Sequence, residues 1–338
     1  MSNPTPDLTE IPLFDARETG MHSVPTQHLA GAERLIKAGK KMMTSPVVSL
    51  FDRRSERWAR KVGNPYLDEI ESVAAGLPRG AWFMNFCYEW GCTTGVYDDQ
   101  NGGVTMQRTL DWPFHGLGRE IVVMRQSGPK GDFYNITWPG FVGVITGMAP
   151  GRFAIAINQA PLRSRGPWPV FVDWILDRLA VNKRVALPPA HLTRQVFEEC
   201  RTFDEAVEKL LSTPTAVPAF FSVSGTKPGE ACIIEHLGDS ATRHDGPEGV
   251  ANDWLSDGLS GKPRGKENAK RRADMVQSFD HAGADHTALD WVTPPIWNKD
   301  TRLAAVMNAA TETLVVRGYE VDGPATQTFD LSAASPAE

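Results

Sequence analysis

The chain has 338 residues, of which 41% are apolar and 22% charged, and it carries a formal net charge of −6. Those proportions are ordinary for a globular protein and exclude a wholly disordered or fibrous chain, while the acidic balance argues against a broad nucleic-acid surface. No uncharged apolar run reaches the roughly 18 residues of a membrane-spanning helix; the best, Trp168 to Val181, is broken by Asp173 and Asp177.

The first 25 residues are rich in Pro, Thr and Asp without a lasting period, and read as a loose arm. They show neither a basic start nor an apolar stretch, so no secretory signal is expected. Four cysteines (Cys87, Cys92, Cys200, Cys232) are too few to staple a chain of this length. They are therefore expected to be free thiols in a cytoplasmic protein. A helix is expected over 29–43 and a second over 55–75, where Trp58, Val62, Leu67, Ile70 and Val73 recur at three and four residues until Gly76 and Pro78.

From Ala81 the texture becomes short β-like runs, which pair into three hairpins. The first joins 95–97 to 104–109 around Asn101-Gly102, and the second joins 141–146 to 153–158 around Ala149-Pro150-Gly151. The third joins 219–224 to 231–235 around Thr226 to Gly229. Between the last two lies a helical block over 170–181, 191–200 and a helix opened by the capping-box pattern Thr202-Phe203-Asp204-Glu205. A basic, glycine-rich loop over 258–266 leads into a helix over 268–279, and strands over 313–319 and 325–331 close the chain. Strands, then helices, then strands predict an α+β fold of two antiparallel sheets packed together with helices outside.

Local signatures of chemistry are few. The sequence contains no G-x-S-x-G, Walker A, H-E-x-x-H or C-x-x-C pattern, and His281 and His286 lack metal-type neighbours at useful spacing. Cys92 stands apart because it opens the first hairpin. If Asn101-Gly102 is a two-residue turn, Cys92 faces Asp111; in a wider loop it faces Thr109. Either pairing brings Arg108 and Asp111 within a neighbour or two of the thiol. Being three apart, they point to opposite faces of a regular strand, so both reach Cys92 only where the strand ends or bulges near Leu110. A guanidinium favours the nucleophilic thiolate, and a carboxylate alongside orients an amine or proton carrier. On spacing alone, a buried cysteine beside a salt bridge accounts for the same residues. Cys87, Cys200 and Cys232 lie in apolar runs and read as packing.

Further segments extend the pattern. Cys92-Thr93-Thr94 is followed by Arg108 and Asp111, sixteen and nineteen residues on. Then come Val144 to Phe153 leading to Asn158, the runs 218–221 and 229–234, Gly249-Val250-Ala251-Asn252-Asp253, and Arg271-Arg272. In this order they resemble the acid ceramidase and N-acylethanolamine acid amidase family and, more distantly, the choloylglycine hydrolases and penicillin V acylases. These are N-terminal-nucleophile (Ntn) hydrolases, in which autoproteolysis exposes a cysteine as a new first residue.

The resemblance implies a four-layer αββα sandwich and a cut between Gly91 and Cys92. It divides one structural domain into a helical segment, 1–91, and a catalytic core, 92–338. It implies that Cys92 is the nucleophile, with its freed α-amine as base, Asp111 orienting that amine and Arg108 holding the thiolate. Asn158, through its backbone N–H, and Asn252, through its side-chain amide, would form the oxyanion hole. Arg271, or its neighbour Arg272, would tie the Asn252 segment to the site. The implied reaction is hydrolysis of a small-molecule N-acyl amide through an acyl-thioester, with no metal and no cofactor. Trp112, Phe114 and Trp168, among the aromatic residues near the site (with Trp82, Phe83, Trp90, Phe171 and Trp174), and Gln159 are expected to bind the substrate, with a fatty or other apolar acyl group. Gln159 stands where lysosomal members have Glu, so an acidic optimum is not carried over. An acyltransferase of the penicillin acyltransferase type and a non-catalytic binding protein of this fold are the alternatives. The amine half of the substrate and the oligomeric state stay open.

Overall fold

The computed structural model describes residues 8–24, 26–86, 91–181, 183–281 and 288–334. In chain order the elements are β1 (Leu13–Asp15), α1 (Thr26–Met43), α2 (Ser45–Lys61), α3 (Leu67–Ala75), α4 (Ala81–Phe86), β2 (Gly91–Asp98) and β3 (Val104–Asp111). There follow β4 (Val122–Gly128), β5 (Gly131–Thr137), β6 (Thr146–Ala149), β7 (Phe153–Gln159), α5 (Val170–Val181), α6 (Pro189–Glu199) and α7 (Phe203–Ser212). The remainder comprises β8 (Ala219–Ser224), β9 (Ala231–His236), β10 (Ala241–Asp245), β11 (Glu248–Val250), α8 (Asn268–Gln277), β12 (Thr301–Asn308), β13 (Thr313–Glu320), β14 (Gly323–Pro324) and β15 (Phe329–Asp330).

These strands form two mainly antiparallel sheets. One runs β1-β4-β5-β6-β7-β8-β9-β10, and the other β11-β2-β3-β12-β13-β14 with β15 on β13. Alternation along β12 shows how they stack. Leu303, Ala305 and Met307 join the large core between the sheets, whereas Ala304 and Val306 face a separate outer cluster with Met275 and Trp291. The helices α2, α3 and α4 pack on the far side of the first sheet, with Trp58, Ile70 and Trp82 meeting Val122 and Met124 of β4. Helix α8 covers the far side of the second sheet. The helix and the turn after it approach Gly95 so closely that a Cβ there would lie 2.7 Å from Met275 and 2.6 Å from the Phe279 ring. The result is the expected αββα sandwich.

Several elements differ from the sequence reading. The loose arm contributes β1, which runs parallel to β4 from Leu13↔Val123 to Asp15↔Arg125; three residues are too few to show a period. The single helix over 55–75 is two, α2 and α3. They separate at Gly63, whose φ of +62° favours glycine, and at Pro65, which disfavours a helical residue before it. The apolar run from Ala81 is a short helix instead of a strand. Of 141–146 only Thr146 enters a strand, and of 325–331 only Phe329 and Asp330. The β4–β5 hairpin and the strands β10, β11 and β12 had no counterpart in the sequence reading. Cys87, Trp90 and His286 lie outside the described residues.

The helical segment is docked through a buried histidine. His191 of α6 accepts from Asn64 Nδ2 at its Nδ1 (2.7 Å) and packs edge-on against Tyr66 and Phe86. Burial pushes its pKa down from 6.5 to about 3. Only the unfolded chain takes up a proton between those values, so this group costs nothing above pH 6.5 and progressively destabilises the fold as pH falls towards 3. At pH 4.5 the penalty is about 3 kcal/mol. Denaturant titrations at pH 7 and 4.5 should therefore show a larger acid loss for the wild type than for His191→Gln, by about that amount. Equal losses would refute the assignment.

Candidate active site

Strands β2 and β3 pair with Cys92 opposite Leu110 and Gly91 opposite Asp111. This register lies between the two expected from the turn, because residues 99–103 form a loop closed by Asp99 N–H to the Gly103 carbonyl (3.0 Å). Cys92, Thr94 and Arg108 consequently share the inner face of the sheet. Asp111 points the other way and comes close only because β3 ends there. Both orientations follow from the period of two. The pairing shift near Leu110 lies in the neighbouring β12, between Thr301 and Leu303.

The Cys92 thiol is fully buried. Its Sγ accepts from Arg108 Nη2 at 3.4 Å and donates to the Ile157 carbonyl at 3.6 Å. Burial pushes the thiol pKa up, the Arg108 charge opposes that, Asp111 reinforces it and Arg271 counters it. The Arg108 guanidinium is also fully buried. Its other partners are Thr146 Oγ1 (2.7 Å), Thr94 Oγ1 (3.2 Å) and Asn158 Oδ1 (3.0 Å). Among the described residues no carboxylate pairs with it. A cation taken out of water without a counter-ion is costly, and such arrangements mark places where a negative charge is to form or bind.

On the other side of the strand end, Asp111 is held by three donors. Arg271 Nη2 donates to Oδ2, Asn298 Nδ2 to Oδ2 (3.0 Å), and Thr301 Oγ1 to Oδ1 (2.8 Å). Helix α8 separates the paired arginines: Arg271 turns inward to Asp111, and Arg272 turns outward to Glu248 (2.8 Å). Asn252 follows β11. Its Oδ1 accepts from the Cys92 N–H (2.6 Å), and its Nδ2 donates to the Gln159 carbonyl (2.8 Å). An amide nitrogen has two protons, so one remains for another acceptor. The Asn158 side chain is wholly engaged, accepting from Thr94 (2.6 Å) and Arg108 and donating to the Val250 and Ala251 carbonyls (3.1 Å each). Any oxyanion contact from Asn158 must come from its backbone.

The structure thus gathers Cys92, Arg108, Asp111, Asn158, Asn252 and Arg271 in one buried cluster. The sequence reading missed Thr146, Asn298 and Thr301, which fix Arg108 and Asp111 in place. It also missed Asn268, whose Oδ1 accepts from the Asn252 N–H (3.1 Å). Asn298 and Thr301 lie just before and at the start of the unrecognised strand β12, and nothing local marks Thr146 or Asn268 as part of the site.

An apolar pocket of about 490 Å³ lies beside the site. Trp112 and Phe114 line it, with Phe83, Trp138, Phe171 and Trp174. Trp168 does not: its indole folds back onto Gly166 and is 45% exposed. Gln159 lines a different pocket. Among the described residues no group of three or more His, Cys, Asp or Glu is placed to hold a metal ion, and no helix is long and apolar enough to cross a membrane.

Comparison with known proteins adds a chemical class. Residues 92–253 match the family described as linear amide C–N hydrolases, choloylglycine hydrolase family. The N-acylethanolamine-hydrolyzing acid amidase of Cavia porcellus is 27% identical over 305 residues, covering 80% of this chain and 81% of that protein. The acid ceramidase of Pan troglodytes is 28% identical over 209 residues, covering 56% of this chain and 51% of that one. In fold, the chain is similar to a Caenorhabditis elegans N-acylethanolamine-hydrolyzing acid amidase ortholog, with a TM-score of 0.52 and 20% identity over 71% of this chain and all of the other. The chain is acid ceramidase-like in sequence, Ntn-type in fold, and a hydrolase of carbon–nitrogen bonds other than peptide bonds.

Proposed function

We propose that this linear-amide hydrolase works through Cys92, exposed as a new N-terminus by cleavage of its own chain after Gly91, and that it hydrolyses N-acyl amides with an apolar acyl group. The observation that carries this reading is the buried Arg108, whose hydrogen-bond partners among the described residues are all neutral and include one, Cys92 Sγ, that can become an anion. Two further facts support it. The family match begins at Cys92, and Gly91 has little room for a side chain, since a Cβ there would lie 3.3 Å from both Cβ and Oδ2 of Asp111.

In maturation the Cys92 sulfur attacks the Gly91 carbonyl carbon, the C–N bond breaks, and the departing nitrogen takes up the proton the thiol gives up. Water then hydrolyses the thioester, leaving a carboxylate on Gly91 and a free α-amine on Cys92. Asn252 Oδ1 already accepts from that nitrogen, and Asp111 flanks the same end of the strand. An α-amine has a reference pKa near 8, suited to take the thiol proton at neutral pH. The thiolate, held by Arg108, attacks the substrate carbonyl. The oxyanion is received by the Asn158 backbone N–H and the second proton of Asn252 Nδ2. One such donor is worth about 2.7–4 kcal/mol of transition-state stabilisation. The leaving amine takes a proton from the Cys92 ammonium, and water activated by the same amine releases the acyl group as a carboxylic acid. The apolar pocket, walled by Trp112 immediately after Asp111, accommodates the acyl chain.

Cleavage is the direct test. Intact mass should resolve segments of 91 and 247 residues, and sequencing of the larger should begin Cys-Thr-Thr-Gly. A preparation that hydrolyses N-acyl amides at full rate with only the uncut chain present would refute the proposal.

A further inference from the structure

The strand that delivers Asn252 ends too early to hold it. Strand β11 pairs with β2 only as far as Val250↔Thr94, so Asn252 lies two residues beyond the last ladder contact. It is nevertheless fully buried, where a backbone N–H and carbonyl without partners would be costly. The side chain of Asn268 meets that need. Its Oδ1 accepts from the Asn252 N–H (3.1 Å), and its Nδ2 donates to the Arg264 carbonyl (3.0 Å). The Arg264 N–H in turn donates to the Asn252 carbonyl (3.3 Å), which closes a ring of three hydrogen bonds. The Arg264 Nε also donates to the Ala160 carbonyl (3.0 Å), two residues past Asn158. One clip therefore ties the Asn252 segment to the start of α8 and to the exit of β7.

The start of α8 is built for this contact more than for the helix itself. Asparagine is a favoured helix cap, yet the cap position is Glu267, whose side chain makes no capping bond. The Asn268 acceptor goes instead to a residue sixteen positions earlier. Glu267 has φ +53°, a left-handed conformation uncommon outside glycine, and such backbone persists where its surroundings require it. One turn on, and on the same face of the helix, Arg271 donates to Asp111. The first turn of α8 thus holds Asn252 through Asn268 and Asp111 through Arg271. Those two residues flank the Cys92 nitrogen, Asn252 by accepting from it and Asp111 by facing Gly91 across the strand pair.

We propose that Asn268 is a positioning residue for the reaction: by fixing the backbone of Asn252 it aims the second Nδ2 proton of that side chain at the oxyanion. This rests on the amide-hydrolase reading above and adds to it the group that sets the oxyanion donor in place. Removing such a donor outright costs about 10²–10³ in kcat, and misplacing a group by about 1 Å can cost about 10²-fold.

Asn268→Leu keeps the volume and removes both bonds. With an N-dodecanoyl amide as substrate, and rates counted per cut chain, kcat should fall by about ten- to a hundredfold while KM stays within about twofold. Lys270→Ala is the control: it alters a surface pair with Asp274 (2.7 Å) on the same turn and should leave both constants unchanged. Amide hydrogen exchange should quicken by about tenfold or more over 250–256 in Asn268→Leu and stay the same over β8 and β9. Asn268→Ala serves the same comparisons if leucine is not accommodated. A kcat equal to that of the wild type, or a loss carried by KM, overturns the proposal and leaves the hydrolase reading standing. A bond that only stabilised the fold would not alter kcat below the unfolding midpoint. If the wild type turns over no amide, the hydrolase reading falls. In that case, or if the variants stay uncut, exchange decides the clip: faster exchange over 250–256 upholds it, and unchanged exchange refutes it.

Discussion

Cys92→Ala should produce a chain that folds, remains whole and hydrolyses nothing. The substitution removes one buried sulfur, and the small cavity left costs about 1 kcal/mol, which a chain with this much core tolerates. Chemically it removes everything, because both the maturation step and turnover begin with the same atom. Cys92→Ser separates the two. A hydroxyl ionises far less readily than a thiol, so a slow intramolecular cut can survive while hydrolysis falls by about 10³ or more. Cys200→Ala is the matched control. That thiol, in the α6–α7 connection, is also buried, with Sγ directed at the Glu205 carbonyl in the first turn of α7, and its loss should leave turnover unchanged. Activity in Cys92→Ala, or its loss in Cys200→Ala, would show that the wrong sulfur has been assigned.

Arg108→Gln should separate activity from stability in a way that Asp111→Asn cannot. Arg108 is a buried cation among neutral partners, so replacing it with a neutral amide removes a desolvated charge while keeping donors for Thr146 and Asn158. Stability should hold to within about 1 kcal/mol. Turnover should fall by about 10²–10³, because the developing thiolate loses its cation in a low-dielectric site. Asp111→Asn does the reverse to its neighbourhood. It strips the counter-ion from the buried Arg271 and should lower stability by about 3–5 kcal/mol as well as impair turnover. Denaturant midpoints and kcat/KM measured side by side distinguish the cases. If Arg108→Gln proves as destabilising as Asp111→Asn, Arg108 is a structural ion and the reading that rests on it fails.

How much of this was legible in the sequence depended on how local the determinant is. The hairpin β8–β9 was readable because two apolar runs flank Lys227-Pro228-Gly229, and the start of α7 because Thr202 Oγ1 accepts from the Glu205 N–H three residues on (3.2 Å). The offsets of Arg108 and Asp111 from Cys92 were readable for the same reason, being a matter of one hairpin. The register within that hairpin was not, since a five-residue loop containing Asn-Gly admits several closures. Nor were the groups that hold Asp111. Asn298 and Thr301 stand 187 and 190 residues away, brought there by β12, whose start carries Lys299, Asp300 and Arg302 and so lacks the alternation of a recognisable strand. Arg271 and Arg272 are neighbours about 100° apart around a helix, and only the packing of α8 decides which of them faces Asp111.

The short strand β1 sits beside β4 in one sheet, with the whole β2–β3 hairpin in the stretch of chain between them. The proposed break after Gly91 falls inside that stretch. Before it, the unfolded chain keeps β1 tethered to β4, and the entropy of closing so long a loop grows only with the logarithm of its length. After it, the same contacts hold two separate polypeptides, and recovering the fold from a fully unfolded state becomes an encounter that depends on dilution. Maturation would thus leave the architecture alone and remove its path of origin. The molecule finds its shape once, as a single thread, and thereafter keeps it by slow unfolding more than by easy return.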